Sequence, residues 1–517
     1  MIVRRIRQTR IALAAAALVF ALATPTMADD MDMEHHRDHP PPERLGAVEF
    51  ATTCSPTVTS AFTRAVALLH SFTYTLSEQA FHDVSVKDPG CAMAHWGMAM
   101  THYHQLWSPP SGIELSEGSD QIRMAVNSPG ASPRERQFIL ALEQYYNDAE
   151  HTAPAIRAQR YAVAMAEVAR SNPTDPEAQV FYALALIATA SPADKTHSNQ
   201  KRAADILEPI YRLQPHHPGL AHYLIHAYDS AELAPRGLAA ARAYSMIAPS
   251  APHALHMPSH IFTRLGLWDD SIASNVAARA AAHSQGDIGE ELHSMDYLTY
   301  AYLQLGRYAE AEQVVATVLT MKDLPASEFK VGYAATAMRV RLAVERGDWT
   351  SAMHLDPLPG SSPQVAAIVY WARALGHSRA KTPSSSDDDI DKLQTCVREL
   401  RASGEDYWAT QIDALLKEAQ AWRLAAKGDF RNAMLILRLA ADQEDALEKL
   451  PVTPGPVVPA REQLGELLLR FNHPDLALKE FKAALVLAPR RRGALDGAIE
   501  AAEQLGDVRS ANQLRAQ

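Results

Sequence analysis

An all-α fold of stacked helical hairpins is predicted by three observations. Helix-favouring Ala, Leu, Arg, Glu and Gln are abundant, while alternating β-branched runs are almost absent. Proline punctuation returns at a fixed interval: Gln214-Pro215-His216-His217-Pro218 is echoed by Ala248-Pro249-Ser250-Ala251-Pro252, so that Pro215 to Pro249 and Pro218 to Pro252 are both 34 residues. Glycine turns closed by an aromatic residue recur at Leu265-Gly266-Leu267-Trp268, Leu305-Gly306-Arg307-Tyr308, Gly347-Asp348-Trp349 and Gly428-Asp429-Phe430. A period of 34 is that of the tetratricopeptide repeat, a helix pair that cannot bury its own apolar face and therefore stacks on its neighbours.

In chain order, Arg4, Arg5, Arg7 and Arg10 precede the apolar stretch 11–23 and the small residues Thr26-Met27-Ala28. These are the three parts of a secretory signal peptide over residues 1–28, and they predict a secreted or periplasmic mature chain. No later stretch replaces this segment as a membrane span, so no integral membrane segment is expected after its removal. Residues 29–44 form a leader in which Met31, Met33, His35, His36 and His39 mix with Asp and Glu before Pro40-Pro41-Pro42, a composition that suits copper capture and equally a merely solvated leader, the commoner case for a short polar terminus.

Residues 45–375 read as the main solenoid, with repeats opening at Asp88-Pro89 and Asp175-Pro176. The Ser/Asp-rich stretch 376–392 reads as a linker or exposed loop, and 393–517 as C-terminal repeats. Within these, Leu464-Gly465, Ala477, Phe481, Ala484 and Pro489 fit one whole unit, and Pro451 to Pro456 breaks the array before it.

A formal charge of −11 and a pI near 6.1 argue against nucleic acid as a partner. The 3 cysteines contain no CxxC pair, which argues against a thiolate zinc site or attached haem. In an oxidising compartment Cys54 and Cys91 are candidates for a disulfide, leaving Cys396 free.

The histidines carry the functional expectation. His222 and His226 are four residues apart and share one helical face, as do His256 and His260. The second pair follows the first by the same 34 residues, so both sit at equivalent positions on the first helices of neighbouring repeats. Those helices line the concave groove and pack at roughly 8–10 Å, close enough for imidazoles from both to meet one ion. His222, His226, His256 and His260 are therefore the predicted metal ligands.

Aligning Leu265-Gly266 with Leu305-Gly306 gives an offset of 40 that maps His253 onto His293, His256 onto Asp296 and His260 onto Tyr300. His253, His293, Asp229 and Asp296 are candidate further ligands or orienting groups, and Arg264 and Tyr300 candidate substrate contacts. Pro258, between His256 and His260, removes a helical donor. His70, His95, His102 and His104 are weaker candidates, explained equally by aromatic packing.

The runs Ala221-His222-Tyr223-Leu224-Ile225-His226 and His256-Met257-Pro258-Ser259-His260-Ile261-Phe262, with His70-Ser71-Phe72, Cys91 to Gly97 and Glu462 to Glu466, resemble a family of exported bacterial tetratricopeptide-repeat proteins of unassigned function. That resemblance implies the fold and export and leaves the metal to the residues themselves. Imidazole suits copper, zinc, iron or nickel, and the Met/His leader favours copper. Oxidative or hydrolytic chemistry on a small substrate or peptide in the groove would follow from such an ion. The alternative is an envelope scaffold whose groove binds a peptide or protein without metal, the usual work of such solenoids.

Overall fold

The computed structural model describes residues 42–106, 109–380 and 383–517. The chain divides into Met1–Glu43 and a compact unit, Arg44–Gln517. The predicted signal peptide and residues 29–41 of the leader, with their histidines, lie outside the described residues, as does Trp107.

The unit is an all-α solenoid, and among the described residues no strand occurs. Thr59–His70 packs on Tyr74–Lys87, Ala92–Thr101 on Gly112–Asn127, Pro133–Tyr146 on Pro154–Ser171, Pro176–Ala188 on Ser198–Leu213 and Pro218–Ala227 on Ala234–Ile247. Each pair also touches the next, which makes a continuous stack. The array continues through Ile288–Gln304 with Tyr308–Thr320 and Asp406–Ala426 with Phe430–Asp445 to Arg492–Gln504 with Val508–Arg515. No helix among the described residues is long and apolar enough to cross a membrane.

The two helices of a pair differ in burial, and this decides which one can carry a site. All of Pro218–Ala227 is buried, as is nearly all of Ile288–Gln304, whereas Ser198–Leu213 buries only Ala203, Ala204 and Leu207. First helices therefore form the inner wall, and second helices take the solvent side. The described residues of 376–392 are mostly helical: Pro363–Arg379 and Asp387–Ala402 pack together, and one apolar cluster runs from Tyr333 to Leu514. The acidic run that suggests a loop instead supplies the first turn of a helix, where carboxylates meet the positive end of the dipole.

Small residues set the close approach within a repeat. A Cβ on Gly97 would lie 2.5 Å from Phe81 ring carbons, and one on Gly465 would lie 2.8 Å from the Phe481 ring. Overpacking of this kind costs about 1–3 kcal/mol. Gly97→Ala is expected to lower stability by that amount in urea unfolding, and an unchanged midpoint would show that the ring can move aside freely.

The stretch between Phe430–Asp445 and Ala460–Arg470 is a strap laid across the inner wall. Glu448 N–H donates to Pro192 O at 2.8 Å, and Lys449 Nζ reaches Asp229 at 2.9 Å. Tyr297 Oη lies 3.3 Å from Pro451 O and 3.2 Å from Thr453 O. Arg341 donates to Thr453 Oγ1, Gly455 O and Pro456 O at 3.0, 2.9 and 3.0 Å. The Pro-rich composition that marks a break in the array also suits an extended strap, since prolines need no ladder donors.

Candidate metal centre

Two helix starts position the first histidines. Pro218 opens Pro218–Ala227 at a position where its missing N–H costs nothing, and the His217 ring caps Leu220 N–H. Pro252 opens Pro252–His256 in the same way, after which Pro258 interrupts the ladder and begins Pro258–Arg264. Met257 keeps helical angles, φ −53° and ψ −34°, and its N–H still bonds His253 O at 2.9 Å. The helical path thus survives the proline, and His256 and His260 remain on one face.

The predicted ligands meet as two trios rather than one tetrad. His222 Nε2 lies 3.1 Å from His226 Nε2 and 3.2 Å from His253 Nε2. His256 Nε2 lies 3.1 Å from His260 Nε2, and His293 completes the second group, its ring centroid 4.3 Å from that of His256. Two nitrogens bound to one tetrahedral ion at 2.0–2.1 Å stand roughly 3.3 Å apart. All six rings are buried, at most 6% exposed. The expectation of one shared ion is thereby revised: the superhelical offset sets each HxxxH pair against a histidine of the next repeat, not against the next pair.

Four of the outward nitrogens are held by acceptors. His222 Nδ1 donates to His70 O at 2.7 Å, and His253 Nδ1 lies 3.3 Å from both Glu290 oxygens. His256 Nδ1 donates to Asn275 Oδ1 at 2.6 Å, and His260 Nδ1 to Asp229 Oδ2 at 2.9 Å. The Asn275 amide nitrogen is occupied by Ser271 O, so its oxygen faces the ring. With Nδ1 carrying the proton, a neutral imidazole presents a lone pair at Nε2. In each trio, lone pairs then face one another at 3.1–3.2 Å. That arrangement repels itself and becomes favourable around a cation.

Burial lowers the pKa of His222, His226, His256 and His293 well below the usual imidazole value, and that of His260 to about 4 despite the opposing pull of Asp229. Neutral rings are the form that binds metal. For the metal-free protein the unfolded chain takes up these protons near pH 6.5, whereas the folded chain resists until lower pH. Stability should therefore rise as pH increases from about 4 to about 6.5 and level off above that. Urea midpoints across this range check it, and a midpoint that falls between pH 5 and 7 would contradict it.

The carboxylates answer to fixed cations. Burial pushes Asp229 and Glu290 up, but Lys449 and Arg264 beside Asp229, and Lys330 and His253 beside Glu290, hold both well below the usual carboxylate range. Burial in turn pulls Lys449 down to about 8 against the attraction of Asp229. Arg264, a candidate substrate contact, is engaged with Asp229 at 2.8 Å and with Glu448 at 3.5 Å. Asp296, a candidate ligand, instead pairs with Arg341 at 2.9 Å, both fully buried, and Tyr300 Oη accepts from Arg491. These two residues occupy the positions of His256 and His260 one repeat later, but face the strap and the C-terminal repeats.

Several groups escaped the sequence reading. Phe72, at a left-handed φ of 52°, sets its ring 4.4 Å from His222, 5.9 Å from His226 and 5.6 Å from His253. Strain of this kind in a residue with a bulky side chain persists only where its surroundings impose it. Tyr297 Oη lies 3.4 Å from His260 Nε2. A cavity of about 200 Å³ opens on His226, Asp229 and Lys449 beneath Leu450 and Pro451 of the strap. Short-range signals could have flagged Glu290 and Tyr297, which lie one helical turn from His293.

Two other groupings are filled already. His70 Nε2 and His217 Nε2 each meet a Glu177 oxygen at 3.0 Å, a buried hydrogen-bonded cluster that anchors the His70 carbonyl under His222. Cys54 and Cys91 are joined in a disulfide, with Cα atoms 4.7 Å apart. Cys396 is buried, and burial raises its thiol pKa to about 11. His95 bonds Gln121, while His102 and His104 lie near Glu78 and Glu114.

No protein-family profile matches the chain, and no curated protein sequence does. Solved structures similar to it include yeast Tom70, with a TM-score of 0.32 and 12% identity over 89% of this chain and 90% of that one. The human IFIT1 dimer with m7Gppp-AAAA has a TM-score of 0.34 and 10% identity, covering 82% and 89%. Naa15/Naa10 bound to HypK has a TM-score of 0.25 and 11% identity, covering 88% of this chain and 62% of that one. The described residues are all-α and built on stacked helical hairpins, with two buried histidine trios on the inner wall.

Proposed function

We propose that this is an exported metalloprotein of the tetratricopeptide-repeat type, in which each histidine trio holds one transition-metal ion. The observation that carries this is that His222 faces His253, and His256 faces His260, through Nε2 at 3.1–3.2 Å while the Nδ1 atoms of all four are turned outward to acceptors. Donors of this kind suit copper, zinc or iron, and hydrogen bonds to the far nitrogen are the usual support of a metal-bound imidazole. Copper is favoured by the Met/His leader, and the disulfide accords with an oxidising compartment outside the cytoplasm. A bound ion would supply Lewis acidity or electron transfer towards a small molecule. Around it, this chain's residues orient imidazole protons through Asp229, Asn275 and Glu290 and exclude water with Phe72 and the strap. In this reading the groove is closed by the strap, which leaves a small-molecule cavity in place of a peptide channel.

Elemental analysis of protein purified without an affinity tag tests the reading. Stoichiometric metal is expected, with at least a tenfold loss in His222→Ala plus His256→Ala. Metal-free protein, indifferent to those substitutions, would favour the scaffold reading instead.

A further inference from the structure

We propose that the two trios act as one dinuclear centre, whose ions share a small bridging anion such as hydroxide. This rests on the reading that each trio holds an ion, and goes beyond it by coupling the two.

The trios are copies related by the repeat. His222 and His226 map onto His256 and His260 at 34 residues, and the third members, His253 and His293, are 40 apart. His253 and His256 lie on one short helix, so the second set begins where the first ends. Ring centroids across the boundary are 5.9 Å apart for His226 and His260 and 6.0 Å for His253 and His256. Within the trios the corresponding spacings are 4.8 Å for His222 and His226 and 5.1 Å for His256 and His260. The boundary is therefore only about 1 Å wider than the HxxxH pairs and narrower than the 6.3 Å between His260 and His293 within the second trio, compatible with the roughly 3.5–4 Å ion separation of two-metal sites.

The series also stops at two. One repeat later, Asp296 and Tyr300 replace the histidine pair, and Asp296 is taken by Arg341. One repeat earlier, Gly219 stands where His253 would recur, and the His70 ring comes within 2.6 Å of its would-be Cβ. A pair, not a ladder of sites along the groove, is what the inner wall builds.

Charge favours an anion, which would offset part of the two ions' charge. Six neutral imidazoles leave two buried divalent ions uncompensated, while the nearest carboxylates are matched already, Asp229 by Arg264 and Lys449 and Glu290 by Lys330. Buried charge without a counter-charge is strongly unfavourable. Three imidazoles per ion leave a fourth position open. The cavity of about 200 Å³ that reaches His226 is lined by the Lys449–Asp229 pair and has room for a small anion.

The full mature chain, freed of metal and reloaded with copper(II), decides this by metal content together with electron paramagnetic resonance spin counting. Two coppers per chain with less than a fifth of two spins are expected, and azide should titrate a charge-transfer band at one azide per two coppers. His293→Ala and His253→Ala should each retain one copper and restore one full spin. Two coppers with two full spins, or a single copper per chain in the unmodified protein, overturns the coupling while leaving metal binding intact. No bound copper overturns both readings. The spin count of the unmodified chain is decisive even if neither variant folds.

Discussion

Metal loading is expected to stabilise the folded chain by about 4 kcal/mol for each ion whose free concentration is a thousand times its dissociation constant. The sites exist only when Pro218–Ala227, Pro252–His256 and Ile288–Gln304 are stacked, so binding free energy becomes folding free energy. Thermal or urea unfolding with added copper or zinc, and again with a chelator, measures it. The shift should vanish in His222→Ala plus His256→Ala, which separates the trios from metal captured by the histidine-rich leader. A melting temperature indifferent to metal would show that the trios hold no ion.

Removing the Arg341 guanidinium is the second large effect. Arg341 and Asp296 are both fully buried, 2.9 Å apart, and Arg341 is also the donor that pins Thr453, Gly455 and Pro456 of the strap. Breaking one side of such a pair costs about 3–5 kcal/mol, because the remaining carboxylate is buried without its cation. Burial already pushes the Asp296 pKa up, against Arg341, and its Oδ2 has no hydrogen-bond partner among the described residues. Arg341→Met should therefore lose most of that stability, and Asp296→Asn in the same background should recover part of it. The strap should also become open to proteolysis near 447–453, and metal should exchange faster through the cavity beside His226. A variant within 1 kcal/mol of the parent, with an unchanged cleavage pattern, would show that the strap is held elsewhere.

Much of this protein is written in local pattern. A 34-residue proline period and glycine-aromatic turns specify hairpins that must stack, since neither helix of a pair can bury its face alone. The spacing of His222 from His226, and of His256 from His260, places each pair on one face because helical periodicity is a local property. The same alignment marks His253 and His293. What local pattern does not contain is the rise and rotation between repeats, and those decide partnership. Only the stacked structure joins His253 to the pair before it and His293 to the next. It alone assigns Asp296 to Arg341 and carries Lys449 across 220 residues of chain to Asp229. Helix faces follow from backbone geometry over four residues, so sequence by itself determined the inner wall and most of its histidines. Which of those side chains share a centre, and what covers it, was decided by the superhelix, because contacts between distant segments depend on the accumulated geometry of every repeat between them.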